Sequence, residues 1–263
     1  MPEPARLGLP AVVLAADHRA RGVVVVEHYR RWLDALLEAM PHCQAVMASP
    51  RPLDDLAAAD PAKPAYLSVN RTGLAGSAFE LDDRLIATPA RAKAEGRAGV
   101  KHMCRIDLSD PASAGALELL GRVLEEAAAL GLDAMVEPLA WSSSAVDRSV
   151  EAILLAAVVA HDMGAPLLKV PVPEVAPGGP RVEAVARVTQ AVSVPVLFLG
   201  GPYQADRPAL LSAVADAMAG GAAGMAIGRS VYQDPDPGLV AALVADLVHG
   251  RASLEEVTAR ARP

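Results

Sequence analysis

Short apolar runs alternate with segments of helical periodicity along the whole chain. The runs are 11–17 (AVVLAAD), 44–48 (QAVMA), 65–70 (AYLSVN), 100–106 (VKHMCRI), 134–139 (AMVEPL), 167–172 (LLKVPV), 194–199 (VPVLFL) and 223–228 (AGMAIG). Their length and composition fit parallel strands buried on both faces. Between them, helical patterns fall near 27–39, 52–59, 89–95, 113–130, 145–162, 181–191, 207–219 and 237–248, with a last helix near 253–261. Asp110-Pro111 opens the helix after the fourth run and Gly131 closes it, while Gly164 closes the next. Eight such β/α pairs, about thirty residues apart, predict a TIM (β/α)8 barrel in a single domain spanning 1–263. An open doubly wound sheet would place a Gly-rich phosphate turn after its first strand. Here that strand ends in Asp17-His18-Arg19. The stretch 71–86 reads as a long loop of the kind that shapes a barrel's active site.

In a barrel, chemistry sits at the C-terminal ends of the strands. Lys169 lies there in the apolar sixth run. Burial makes an ammonium costly, lowers its pKa and turns the amine into a nucleophile for carbonyl carbon. The competing reading is a strand-edge lysine that reaches water. In the fourth run, alternation puts Lys101, Met103, Arg105 and Asp107 on one face, so an inward face would be polar and an outward one hard to pack. An ion-paired structural lysine is the alternative for Lys101. Glu137, in the fifth run, can pair with a lysine on either neighbouring strand. Asp17 ends the first run and is inward if Val13 and Ala15 are; otherwise it caps a turn. Gly200-Gly201-Pro202 and Gly228-Arg229-Ser230 close the last two runs, where barrels often bind phosphate through backbone N–H groups, here with one guanidinium to help.

Composition narrows the picture. The chain has 263 residues, 52% hydrophobic and 3% aromatic, so an aliphatic core is expected and a disordered chain is excluded. A net charge of −7 argues against nucleic acid. Positive charge is carried by 20 Arg and only four Lys (Lys63, Lys93, Lys101 and Lys169), which makes each lysine informative. Two cysteines, Cys43 and Cys104, cannot build a disulfide framework and suggest a reducing, cytoplasmic setting. No run reaches the length of a membrane span and the start lacks a signal peptide's features. The six histidines show no HxH or HxxxH spacing, so a histidine metal centre is not expected. Cys104 reads as packing, and Ser142-Ser143-Ser144 as polar loop.

Taken together, these motifs resemble the class I aldolases of the DeoC/LacD superfamily, over nearly the whole chain. The resemblance is carried by Asp17-His18-Arg19, Thr72-Gly73, Ser77, Lys101, Glu137-Pro138, Leu168-Lys169-Val170, Leu199-Gly200-Gly201-Pro202 and Ala226-Ile227-Gly228-Arg229-Ser230-Val231-Tyr232-Gln233. It looks closest to an actinobacterial branch associated with inositol breakdown. It implies that Lys169 forms a Schiff base, that Lys101, Glu137 and Asp17 manage protons, and that Gly201, Gly228 and Arg229 grip phosphate. Gly200, Ser77 and Arg105 join them as candidate binding residues. Where some branches use a tyrosine as the acid/base group, this chain has Glu137, which fits the tagatose-type proton scheme better. The function expected is cleavage or formation of a C–C bond in a phosphorylated ketose or keto-sugar acid. No cofactor or metal is expected, and the partners are a sugar phosphate and further copies of the chain. The alternatives are thiolase-type acyl transfer on a phosphorylated dione and a non-catalytic sugar-phosphate-binding barrel.

Overall fold

The computed structural model describes residues 7–262 apart from 25, 26, 72, 78–81, 143, 144, 177 and 204. Thr72, Ser143 and Ser144 therefore lie outside the described residues. Eight parallel strands close on themselves: β1 (Ala11–Ala16), β2 (Ala45–Ala48), β3 (Ala65–Ser68), β4 (Gly99–Ile106), β5 (Asp133–Ser142), β6 (Leu167–Pro171), β7 (Val196–Leu199) and β8 (Gly224–Ile227). Each pairs with the next in sequence, and β8 returns to β1 with Ala11 opposite Gly224 and Leu14 opposite Ile227. This is the predicted barrel.

Alternation sorts the side chains into two apolar layers. Ala11, Val13, Ala15, Ala45, Met47, Tyr66, Met135, Leu167, Leu197 and Ala226 pack inside the barrel. Val12, Leu14, Val46, Leu67, Val136, Leu168 and Phe198 face outward onto the helices. The inward parity carries Asp17, Glu137, Lys169 and Gly228 to the upper end of the interior, two residues beyond Ala15, Met135, Leu167 and Ala226. Cys104 has the outward parity and is buried in the layer beneath the helices, as packing.

The helices are α1 (Tyr29–Ala39), α2 (Pro50–Ala59), α3 (Pro89–Ala94), α4 (Ala112–Ala129), α5 (Val150–Asp162), α6 (Arg181–Gln190), α7 (Arg207–Ala219), α8 (Arg229–Tyr232), α9 (Pro237–Val248) and α10 (Leu254–Arg260). Side-chain caps set several starts: Thr88, Ser149, Asp206 and Asp236 each accept a bond from a first-turn amide, and Ser253 with Glu256 forms a capping box. Among the described residues, no helix is long and apolar enough to cross a membrane.

Three expectations are corrected. The fifth helix starts at Val150 and not at 145, because β5 runs on to Ser142 and folds back as a hairpin, Trp141 opposite Val146 and Ser142 opposite Ala145. The stretch 71–86 is not wholly irregular: Asn70–Arg71 pairs antiparallel with Arg84–Leu85. Asp107 lies past the end of β4, where its carboxylate accepts bonds from the Ser109 amide and hydroxyl, and so does not join the inward face.

Candidate active site

The upper end of the barrel holds a buried charged cluster. The Lys101 Nζ donates to Asp17 Oδ2 at 2.8 Å and lies 2.6 Å from Glu137 Oε2, and the Lys169 Nζ lies 3.0 Å from that same oxygen. The Ser68 hydroxyl donates to Asp17 Oδ2 at 3.1 Å. Both lysines and both carboxylates are buried. Two cations and two anions offset one another, which is what makes their joint burial tolerable.

The two lysines are driven in opposite directions. Burial works against the charge of each. At Lys101 the carboxylates of Asp17 and Glu137 outweigh it, and its pKa is raised. At Lys169 burial prevails: Glu137 opposes it, the Lys101 charge reinforces it, and the pKa is lowered. Lys169 is therefore the lysine that gives up its proton more readily. Burial would raise both carboxylates, but Lys101 and Lys169 override it, bringing Glu137 down to about 2 and Asp17 well below the usual carboxylate range. Glu137 is therefore an anion at rest, held so by the two lysines.

A cavity of about 360 Å³ opens above the cluster. Lys169 and Glu137 line it, together with His18, Arg21, Trp141, Arg148, Gly200, Gly201, Gly228 and Arg229. Lys101 and Asp17 are not in its wall; they back Glu137 from below. The glycines are sterically required. A Cβ on Gly228 would come 2.3 Å from the Ala15 carbonyl oxygen and 2.8 Å from His18 Cε1. Gly201 has φ +71°, and a Cβ there would lie 3.3 Å from Arg148 Nη1. The Arg148 guanidinium is thus seated on the Gly200-Gly201 turn. Burial lowers the pKa of Arg229, and the charges of Arg148 and Arg21 lower it further. Three guanidiniums face one cavity whose carboxylate lining among the described residues is Glu137 alone; Arg148 is partly balanced by Glu174 at 3.6 Å, just outside the wall, and the site remains net positive. His18 is held neutral, at about 3, by burial and by the Arg229 and Lys169 charges, against the pull of Asp17.

Ser77 and Arg105 stand apart from this cavity. The Ser77 hydroxyl donates to the Leu74 carbonyl at 2.7 Å and closes a turn. Arg105 is buried, with its Cζ 4.8 Å from the centre of the Trp141 ring and Nη2 3.7 Å from Asp83 Oδ1. It supports a residue of the cavity wall rather than forming the wall. Sequence reasoning did not single out Arg21, Arg148, His18 or Trp141 as site residues. His18 could have been found from its place directly after Asp17. Arg21 and Arg148 offered no signal among 20 arginines.

The Cgl0159-like family matches residues 10–248. The chain belongs to that family. The structure of Cgl0159 from Corynebacterium glutamicum is similar, with TM-score 0.80 and 30% identity, covering 92% of this Cgl0159-like chain and 86% of that one. An archaeal fructose 1,6-bisphosphate aldolase shares the fold, with TM-score 0.74 and 24% identity over 94% of this chain and 96% of that one. A Streptomyces griseus protein named 2-amino-4,5-dihydroxy-6-oxo-7-(phosphonooxy)heptanoate synthase is 46% identical over 91 residues, 35% of this chain and 31% of its own. An Archaeoglobus fulgidus 2-amino-3,7-dideoxy-D-threo-hept-6-ulosonate synthase is 27% identical over 176 residues, 67% of this chain and 62% of its own. The chain thus spans less than two thirds of the length of these curated relatives. The resemblance to aldolases drawn from the sequence is borne out by relatives and structures bearing aldolase and synthase names.

Proposed function

We propose that the chain is a class I aldolase acting on a phosphorylated ketose or keto-sugar acid. The observation that carries this reading is the pair of lysines flanking one carboxylate, with the amine of lowered pKa, Lys169, being the one that opens into the cavity. In this scheme the Lys169 amine attacks the ketone carbon, and the carbinolamine loses water to give an iminium. The iminium draws electrons from the adjacent C–C bond. That bond breaks as the neighbouring hydroxyl passes its proton to Glu137, leaving an aldehyde and an enamine. Protonation of the enamine carbon, with Glu137 as the near acid, and hydrolysis release the ketone and restore the amine. The iminium serves as the electron sink, so this route asks for no metal. Lys101 stays charged and holds Glu137 in place; Asp17, bonded by Ser68, holds Lys101.

Arg229, Arg148 and the Gly200-Gly201 and Gly228 backbone suit a phosphate beside the reacting ketone. The S. griseus relative's name, 6-oxo-7-(phosphonooxy), describes a ketone one carbon away from a phosphate, and this supports the same arrangement here. The test is borohydride reduction in the presence of a panel of sugar phosphates, followed by peptide mass spectrometry. The donor mass is expected on a peptide containing Lys169, with turnover that survives EDTA. An adduct on Lys63 or Lys93, or a requirement for a divalent cation, refutes the reading.

A further inference from the structure

A second cleft of about 420 Å³ lies against the turn that leaves β1, lined by Arg19, Ala20, Gly22, Val24, Tyr29, Ser49, Arg51 and Pro52. This turn, His18–Arg21, is a 3-10 helix whose residues are divided between two cavities. His18, Arg21 and Val23 line the catalytic cavity, while Arg19, Ala20, Gly22 and Val24 line the outer cleft.

Three kinds of donor meet in the outer cleft. The Arg19 guanidinium is held by rings and not by a carboxylate: its Cζ lies 4.9 Å from the centres of both Tyr29 and Trp32, and it makes no ion pair among the described residues. Stacking fixes the position of the cation and leaves its N–H groups to take a ligand. The second donor is Ser49, the residue at the N-cap of α2. It is 6% exposed, yet its side chain makes no capping bond and no other hydrogen bond among the described residues. Ser49 lines the cleft and its Oγ is still reached from it, so the hydroxyl is free to donate to an anion or a water there. The third donor is the start of α2. Pro50 and Pro52 have no N–H and the Leu53 amide is bonded to the Ser49 carbonyl, which leaves the Arg51 amide available there beside the positive end of the helix dipole. Arg51 itself is balanced by Asp55 at 3.1 Å, and the Tyr29 hydroxyl also bonds Asp55, so Arg19 is the cation left uncompensated.

We propose that this cleft is a second anion site, taking a phosphate-sized oxyanion, whether inorganic phosphate or a phosphomonoester, on the outer face of the turn that presents His18 and Arg21 to the catalytic cavity. Occupancy ties Arg19 to Ser49 and so sets the angle of that turn. The site stands or falls independently of the aldolase reading, because its test reads binding.

Isothermal titration of the full chain with inorganic phosphate, and separately with glycerol 3-phosphate, is expected to show two sites for at least one of them. Arg19→Gln and Ser49→Ala each weaken one site by about tenfold or more, the usual worth of a bond to a charged group, and leave the other unchanged. Arg229→Ala does the reverse. Ser49→Ala removes no capping bond, so its melting temperature stays at the wild-type value and its binding loss cannot be ascribed to unfolding. A second readout uses Trp32, one of only two tryptophans in the chain. In a Trp141→Phe background its fluorescence responds to the anion in the Arg229→Ala variant and not in the Ser49→Ala variant. A single site abolished by Arg229→Ala, or two sites both indifferent to Ser49→Ala, overturns the proposal.

Discussion

At the scale of single residues, the cluster predicts that its two supporting groups fail in opposite ways. Lys101 lowers the pKa of Lys169 and Glu137 raises it. Lys101→Met is therefore expected to move the pH optimum of imine formation upward, and Glu137→Gln to move it downward. Glu137→Gln should still yield the borohydride adduct, because the amine remains, while C–C cleavage slows by about 10²–10⁴-fold, the usual worth of a general acid/base. If the pair merely ties β4 to β5, both variants lose melting temperature together and the pH–rate curves keep their shape. Arg229→Ala is expected to weaken a phosphorylated ligand by about 1.5–3 kcal/mol and to leave its unphosphorylated analogue alone; equal losses for both remove Arg229 from the phosphate site. Lys169, Lys101, Glu137 and Asp17 were legible in the sequence because a strand has only two faces. Once Ala15, Met135 and Leu167 are inward, their second neighbours must be. Arg21 and Arg148 lie on connections, where no periodicity dictates direction, and an abundant residue type gave them no prominence.

At the scale of elements, the departures from expectation are concentrated at the rim of the barrel. Residues 145–148 fit a helical pattern, yet the cross-strand pairs Trp141–Val146 and Ser142–Ala145 hold them to β5 and delay the helix to the Ser149 cap. That hairpin places Trp141 in the cavity wall and brings Arg148 round to Gly201. Tertiary pairing prevailed over local propensity, as it often does in short segments. The glycine turns give the sharpest test at this scale. Gly201→Ala must hold a left-handed backbone at a cost of about 1–2 kcal/mol while crowding Arg148. Calorimetry should show a modest loss of stability, and phosphate titration a clear loss of affinity. Gly228→Ala meets backbone at Ala15 and so should cost more stability than Gly201→Ala; the opposite order in melting temperature contradicts the close approach of Gly228 to the Ala15 carbonyl.

At the scale of the whole molecule, acid sensitivity is built into the layer between barrel and helices. His102 has outward parity on β4, is buried, and neither ring nitrogen finds a partner among the described residues. Burial, with Lys101 adding to it, pushes its pKa down to about 3 from an ordinary 6.5. The unfolded chain therefore takes up a proton that the native state refuses, and stability falls as pH drops from about 6.5 towards 3, by up to about 1.4 kcal/mol per pH unit. His18 acts in the same direction. Urea unfolding between pH 8 and 4 is expected to show this slope, and His102→Leu to flatten it; an unchanged slope in that variant means the proton is taken up elsewhere. The closed strand order was legible because eight alternating pairs leave few ways to hide so many apolar strands, but the seam where the barrel closes was not. It joins Ala11 to Gly224, so the first strand made is the last to be satisfied. A chain interrupted before β8 would expose two bare strand edges, on β1 and β7, while lacking Gly228 and Arg229. Unfinished copies would be unable to hold the anion and primed to pair with one another, so the strand that seals the barrel against aggregation is also the one that delivers Gly228 and Arg229 to the cavity.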